Sequence, residues 1–159
     1  MRLAQGLPSL RGCMTSTAVE IIATDTRSEP RDLSALHVPL GLLGFEELKE
    51  FRLVGNAEHE PFLWLQVRDD PTLAFLVAPP RSIVNDYRPS VAPDDVQFLG
   101  LTDVGSALLL NIVTLRADGR ATVNLKGPIV INARTRIGKQ IIPLNAADYS
   151  VQHPLPVVS

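Results

Sequence analysis

The residue types that most often carry catalysis or bind metals are scattered along this chain. None of its three histidines, His37, His59 and His153, has a second histidine, a cysteine or a carboxylate at a recognised metal-ligand spacing. The single cysteine, Cys13, has no neighbour in sequence that would activate its thiol as a nucleophile. These patterns predict neither a metal site nor a cysteine-based reaction.

Two pairs of adjacent acids are the other candidates for chemistry. Asp69 and Asp70 fit a charged turn, and Asp94 and Asp95 fit the start of a helix. Adjacent residues of a strand point to opposite faces, so neither pair forms a general acid–base dyad there. The chain also lacks a Gly-x-Ser-x-Gly elbow and a phosphate-binding glycine loop. We therefore expect no enzyme, no catalytic residue and no cofactor. A hydrolase or isomerase whose site assembles from distant residues is the rival interpretation.

The bulk composition indicates one globular domain. The chain has 159 residues, of which 45% are hydrophobic and 20% are charged, so an apolar core can form. The net charge of −2 does not favour nucleic acid or anionic membranes. No run approaches the roughly 18 apolar residues that a membrane-spanning helix needs. With one cysteine and no internal disulfide, nothing indicates an oxidising compartment, so we expect a cytoplasmic protein. No feature of the sequence demands a dimer, so we expect a monomer.

Alternating and β-branched segments predict the elements that must position any site. A helix is expected over residues 93–100, because proline, two acids and a closing glycine stand where a helix favours them. One further helical turn is expected at residues 46–50. Hairpins are expected around residues 68–71 and 118–119. About eight strands are predicted, at residues 18–24, 51–54, 62–67, 73–77, 107–115, 121–124, 129–132 and 139–142, with a short extended piece at 36–38.

These elements predict a mainly β fold: a small antiparallel β-barrel-like domain with one or two short helices. We expect the domain to occupy residues 17–155. Residues 1–16 are predicted to be a flexible N-terminal extension, with Met1 and Met14 as alternative starts. Residues 156–159 are predicted to be a C-terminal tail.

A basic cluster and the aromatic residues bear on RNA binding. Arg134, Arg136 and Lys139 are able to touch phosphate, although a solvated turn is the favoured interpretation. Binding RNA by stacking needs exposed aromatic rings beside basic residues. We place Trp64 in the core, where replacing it with alanine would cost about 3–5 kcal/mol. A small β-barrel RNA-binding protein is therefore the alternative to a protein-binding domain.

Four segments, taken together and in order, resemble the bacterial flagellar assembly factor family FliW. Residues 39–46 (PLGLLGFE) are similar to its Gly-Ile-x-Gly-Phe-Glu signature, and residues 61–66 (PFLWLQ) to its Phe-x-Trp-Leu-Gln segment. Residues 121–132 (ATVNLKGPIVIN) resemble its Thr-x-Asn-Leu-x-x-Pro-Ile-x-Ile-Asn block. The stretch from 138 to 155 resembles its C-terminal end. The chain departs from the pattern at Leu42, where isoleucine is usual, and at Val67, where serine is frequent.

The resemblance implies a non-enzymatic partner switch. Members of the family bind flagellin in the cytoplasm and also bind the translational repressor CsrA, which relieves the repression of flagellin messenger RNA. The two partners compete, so that free flagellin limits its own synthesis. Such a switch needs comparable affinities for two proteins and no reactive side chain. It implies no direct contact with nucleic acid, no membrane and no cofactor.

Polar and exposed-type residues inside these motifs are the expected partner-binding residues, because packing explains them least. The glycines of the first motif, Gly41 and Gly44, are expected to shape a turn. Phe62, Trp64, Ile129 and Ile131 are expected in the core. The acidic residues expected to face a basic RNA-binding partner are Glu46, Glu47, Asp69, Asp70, Asp94 and Asp95. The predicted partner-binding residues are Phe45, Glu46, Gln66, Asn132 and Arg134.

Overall fold

The computed structural model of the chain describes residues 19–20, 34–55, 57–80, 83–84, 86–102 and 106–155. Several predictions concern residues outside these ranges. They are the N-terminal extension with Cys13, the C-terminal tail, and all of the predicted strand 18–24 except its residues 19 and 20.

Strands dominate the described residues, as the sequence predicts. One α-helix, α1, spans Pro93–Leu99, and short 3-10 turns occupy Ala57–His59 and Ala146–Asp148. No helix within the described ranges is long and apolar enough to cross a bilayer. The strands are β1 (Val19–Glu20), β2 (Leu36–His37), β3 (Glu50–Gly55), β4 (Leu63–Val67), β5 (Ala74–Ala78), β6 (Ser90–Val91), β7 (Ala107–Leu115), β8 (Ala121–Val123), β9 (Ile129–Asn132), β10 (Ile137–Gln140) and β11 (His153–Pro154).

The main sheet closes on itself. Its strands follow the order β7, β5, β4, β3, β2, β10 and β9, and β9 then pairs back with β7. All of these pairings are antiparallel except that of β10 with β2, where Ile137 lies opposite His37. Strand β8 extends the sheet from β7, and β11 follows β8. The fold is therefore mainly β, with a ring-like sheet and, among the described residues, a single α-helix.

Both faces of the ring near β7 and β9 are buried, and the alternation of side chains explains why. Leu108 and Leu110 of β7 belong to a cluster inside the ring, together with Phe51 and Leu65. Leu109 points the other way, into an outer cluster. That outer cluster consists of Ala78, Tyr87, Val91, Val96, Leu99, Leu101, Ala107, Leu109, Val113, Val123, Leu125, Val130 and Ile141. Strand β7 is apolar at nearly every position because it is covered on both faces.

Helix α1 begins and ends where its sequence predicts. Pro93 occupies the first turn with Asp94 and Asp95, and Gly100 ends the helix with a φ of 64°. That left-handed conformation is readily adopted by glycine. The N–H of Gly100 is hydrogen-bonded to the carbonyl of Gln97. The end signals of this short element were therefore sufficient to locate it.

Three local predictions differ from the structure. Residues 46–50 form a turn followed by the start of β3, and not a helical turn. The last predicted strand, 139–142, lies two residues earlier, as β10. Strands β6 and β11 were not predicted. The position of β10 is fixed by a tight turn that pairs Asn132 with Ile137, a non-local constraint that the hydrophobic pattern does not contain.

The prediction that Trp64 lies in the core is wrong. Its side chain is 44% exposed, whereas the next residue, Leu65, is fully buried inside the ring. Strand β4 turns Leu65 and Val67 inward, so Trp64 must point outward. Phe62 is partly buried against the outer cluster, and Ile129 and Ile131 are buried as predicted.

Candidate protein-binding surface

The glycine turn, residues 39–47, is a hydrogen-bonded loop between β2 and β3. Leu42 and Phe45 form an isolated antiparallel bridge, in which the N–H of Phe45 donates to the carbonyl of Leu42 at 2.7 Å. Leu42 is buried in the inner cluster and anchors the loop. Gly41 has a φ of 67°, and a Cβ there would lie 2.5 Å from the carbonyl oxygen of Glu46. Only glycine allows this close approach of two backbone segments.

The glycine turn presents large apolar side chains to solvent. Leu40 is 53% exposed, Leu43 is 62% exposed and Phe45 is 40% exposed. The ring of Phe45 packs edge-on against Phe75, with 5.0 Å between ring centroids. A cluster of exposed apolar side chains on a hydrogen-bonded loop is typical of a protein-binding surface.

Strand β10 supports the glycine turn from the side. The backbone N–H of Leu43 donates to Oε1 of Gln140 at 2.8 Å, which fixes the turn beside the last residue of β10. Two further exposed apolar residues, Ile142 and Leu144, follow β10 directly. The chain thus brings apolar side chains from two separate segments to this end of the sheet.

Glu46 also lies on the glycine turn and is exposed. Its Oε2 accepts a hydrogen bond from the N–H of Gly44 at 2.6 Å. Two of the predicted partner-binding residues, Phe45 and Glu46, are therefore neighbours on one preorganised loop. Both side chains are exposed in this conformation, so both are accessible to a partner.

Gln66 lies elsewhere, on the outer face of β4. Its Oε1 accepts from Nε of Arg52 at 2.5 Å, and its Nε2 donates to the carbonyl of Pro71 at 2.9 Å. The adjacent row of this face pairs Val54 with Trp64, and both are exposed. We call Arg52, Val54, Trp64 and Gln66 the Trp64 face. Trp64 was missed as a surface residue, although its alternation with Leu63, Leu65 and Val67 carries that signal.

Asn132 differs from the other predicted site residues because it is buried. Only 2% of it is exposed, and its Nδ2 donates to the carbonyl of Leu99 at 2.9 Å. Its Oδ1 accepts from the N–H of Arg134 at 3.0 Å. Asn132 therefore joins helix α1 to the turn after β9 and does not present its own side chain to a partner. Arg134 is exposed on that turn.

The basic cluster is divided by the structure. Lys139 forms an ion pair with Asp95, and its Nζ lies 5.2 Å from the centroid of the Phe98 ring. Both members of this pair are largely buried, so it fastens helix α1 to β10. Arg134 and Arg136 stay exposed on the turn between β9 and β10. The expectation that Asp95 faces a partner is therefore not supported.

Two buried donors beside the outer cluster have structural partners, whereas the Oδ1 of Asn111 has no hydrogen-bond partner among the described residues. The hydroxyl of Tyr87 donates to the carbonyl of Leu125 at 2.6 Å, and Nδ2 of Asn111 donates to the carbonyl of Asn124 at 2.8 Å. Burial raises the pKa of Tyr87 well above its ordinary value. Within the described ranges, no three His, Cys, Asp or Glu side chains are grouped so as to hold a metal ion.

Comparison with known proteins places these features in a family. The sequence model of the FliW protein family matches residues 19–155. The flagellar assembly factor FliW of Leptospira interrogans is 40% identical over 112 residues, which cover 69% of this chain and 75% of that protein. The FliW proteins of Clostridium botulinum strain Langeland and Geotalea uraniireducens are each 36% identical, covering 80% and 82% of this chain and 89% and 82% of their own lengths.

A solved structure agrees with this. A crystal structure of the flagellar assembly factor FliW superimposes on this chain with a TM-score of 0.71 at 31% sequence identity. The match covers 87% of this chain and 99% of the other. The similarity therefore extends over nearly the whole of a FliW chain.

Proposed function

The chain belongs to the FliW family of flagellar assembly factors, and from this premise we propose that it binds flagellin and antagonises the translational repressor CsrA. In this proposal it acts in the cytoplasm as a monomer and couples the synthesis of flagellin to filament assembly. The family membership supports the role in flagellar assembly. The two named partners follow from the resemblance of the motifs.

The observation that carries the proposal is the exposure of Leu40, Leu43 and Phe45 on the glycine turn. Burying one such side chain in an interface contributes about 1.5–3 kcal/mol before the costs of association are subtracted. The Leu42–Phe45 bridge holds the loop in place without a partner. A rigid loop loses little conformational entropy on binding, which increases affinity.

Acidic residues add to this surface. Glu46 and Glu47 precede the first residue of β3, and Asp69 and Asp70 follow the last residue of β4. Because β3 and β4 are antiparallel, both pairs lie at the same end of the sheet. Negative charge there favours the approach of a basic partner such as an RNA-binding repressor, mainly by raising the association rate.

We also propose that the chain is not an enzyme, needs no cofactor and makes no direct contact with nucleic acid. A partner switch operates by binding alone, because one protein displaces the other by mass action. The relatives that match this chain are named as assembly factors, which supports this view.

Binding assays with the two partners test the proposal. Calorimetry with flagellin and with CsrA from the same cell is expected to give saturable binding, and added flagellin is expected to displace CsrA. Phe45→Ala is expected to weaken binding of at least one partner about tenfold or more, as removal of an interface anchor does. Leu115→Ala removes an exposed apolar side chain at the last residue of β7, outside the glycine turn, and serves as the control. Binding to neither partner would reject the proposal.

RNA binding is the second candidate, and the Trp64 face favours it. The exposed Trp64 pairs with Val54, and Arg52 lies two residues before Val54 on the same face of the sheet. Base stacking requires such an exposed aromatic ring beside a basic residue. The net charge of −2 opposes this function. An RNA affinity that falls steeply with salt and is lost in Trp64→Ala would support it over the partner switch.

A further inference from the structure

The turn between β9 and β10 holds a side chain in an unfavourable backbone conformation. Arg136 has a φ of 62°, and it is the one non-glycine residue with positive φ in the described part of the chain. Glycine adopts this conformation freely, whereas a residue with a Cβ is strained there. Backbone strain of this kind concentrates at functional sites, where the side chain has a use that outweighs its cost.

The surrounding hydrogen bonds impose this conformation. The N–H of Arg136 donates to the carbonyl of Asn132 at 2.7 Å, and its own carbonyl accepts from the N–H of His37 at 2.9 Å. The N–H of Arg134 donates to Oδ1 of Asn132. The turn is therefore held on both sides, and its two arginines are presented from a rigid backbone.

Neither arginine is neutralised by another residue in the described part of the chain. Arg134 and Arg136 have no ion-pair partner among the described residues, whereas the neighbouring Lys139 is paired with Asp95. Both are exposed. A guanidinium group binds a carboxylate through two parallel N–H donors, and this geometry selects carboxylates over neutral groups.

We propose that Arg134 and Arg136 form a binding site for the carboxylates of an acidic peptide segment in a protein partner. This inference rests on the proposed function, and it assigns the site to flagellin, because the two arginines repel a basic RNA-binding partner. It adds a second contact surface to the glycine turn.

The position of the site in the fold supports this assignment. Arg136 precedes the first residue of β10, whereas the glycine turn contacts Gln140, its last residue. The two arginines and the acidic pair Glu46 and Glu47 therefore lie at opposite ends of β10. A basic RNA-binding partner is attracted to the acidic end and repelled by the basic one.

Three variants of the full chain test the site by calorimetry. Arg136→Gly removes the side chain and also the strain, so it is expected to raise the thermal midpoint while weakening binding to flagellin about five- to twentyfold. Arg134→Gln is expected to weaken the same binding without the gain in stability. Arg116→Gln removes an exposed arginine from the turn after β7 and is expected to leave both properties unchanged.

The two partners and salt distinguish the possible outcomes. Affinity for CsrA is expected to change less than twofold in all three variants, and the salt dependence of flagellin binding is expected to decrease in Arg136→Gly. Unchanged flagellin binding in both Arg136→Gly and Arg134→Gln would overturn the inference, as would an equal or greater loss of CsrA binding. If the unmodified chain binds single-stranded RNA and the two variants lose that affinity, the site binds phosphate and the inference is overturned. If the unmodified chain binds neither protein, the proposed function itself fails, and that result precedes any comparison of variants.

Discussion

The side-chain amide of Asn132 donates to the carbonyl oxygen of Leu99, the last residue of helix α1, at 2.9 Å. A second bond reaches the carbonyl of Gly100 at 3.3 Å. The last carbonyls of a helix have no partner within the helix, and here a strand supplies the missing donor. This bond ties α1 to the end of β9.

Removing that donor is expected to destabilise the protein. Asn132→Ala leaves buried carbonyl groups without a hydrogen bond, which costs about 1–3 kcal/mol. Urea unfolding followed by circular dichroism measures the loss. Arg134→Ala, two residues away and exposed, is the control and is expected to stay within about 0.5 kcal/mol of the original chain. Equal stability of the two variants would show that the bond does not support the helix.

Trp64 and Leu65 are adjacent in β4 and are expected to differ sharply in their contribution to stability. Leu65→Ala empties a fully buried position and is expected to cost about 2–5 kcal/mol. Trp64→Ala is expected to cost only about 1 kcal/mol, because much of the ring stays in water. Denaturant melts of the two variants provide the comparison.

The fluorescence of Trp64 provides an independent check, because it is the single tryptophan of the chain. An exposed indole is expected to be quenched readily by acrylamide in the native protein. Strong protection from the quencher would show that the indole of Trp64 is buried, which would contradict its outward position.

The two glycines of the glycine turn are expected to differ as well. Gly44→Ala meets no atom within 4 Å and suffers only the strain of its φ of 88°, about 1–2 kcal/mol. Gly41→Ala bears similar strain and also forces its Cβ into the backbone of Glu46. It is expected to cost at least about 1 kcal/mol more than Gly44→Ala, as overpacking does. Thermal melts of both variants test this order, and the reverse order would refute the close approach at Gly41.

Tyr87 is expected to make stability fall in alkaline solution. Its pKa is raised in the folded state by burial, so above pH 10 the unfolded chain releases a proton that the folded chain retains. The contribution of the protonated Tyr87 to the free energy of unfolding is complete below about pH 10, the ordinary pKa of tyrosine. Above that pH it decreases by about 1.4 kcal/mol for each pH unit. Urea melts at pH 8 and pH 11 measure the decrease.

Tyr87→Phe provides the control for this pH effect. It is expected to lower stability at pH 8 by about 1–3 kcal/mol, because the carbonyl of Leu125 loses its donor. The variant is also expected to lose less stability than the original chain between pH 8 and pH 11. An identical loss in both proteins would assign the alkaline sensitivity to other groups.

The sequence by itself determined those elements whose signals are local. Helix α1 was located from Pro93, its two acids and Gly100, since end signals act within a few residues. Strand β7 was predicted at its observed bounds because a long apolar segment between turn residues is typical of a buried strand. The four motifs, taken together, also sufficed to indicate the family, since they depend on order along the chain.

Only the tertiary structure decided which way the side chains of these elements point. Trp64 faces solvent because the pairing of β3 with β4 turns Leu65 inward, and a shift of one residue would reverse both. Asn132 is internal because helix α1 ends beside it, and Lys139 is neutralised because Asp95 lies across from it. These relationships join residues far apart in sequence, so they depend on strand register and on closure of the ring. A local pattern specifies the conformation of a segment, whereas burial and partners are properties of the assembled fold.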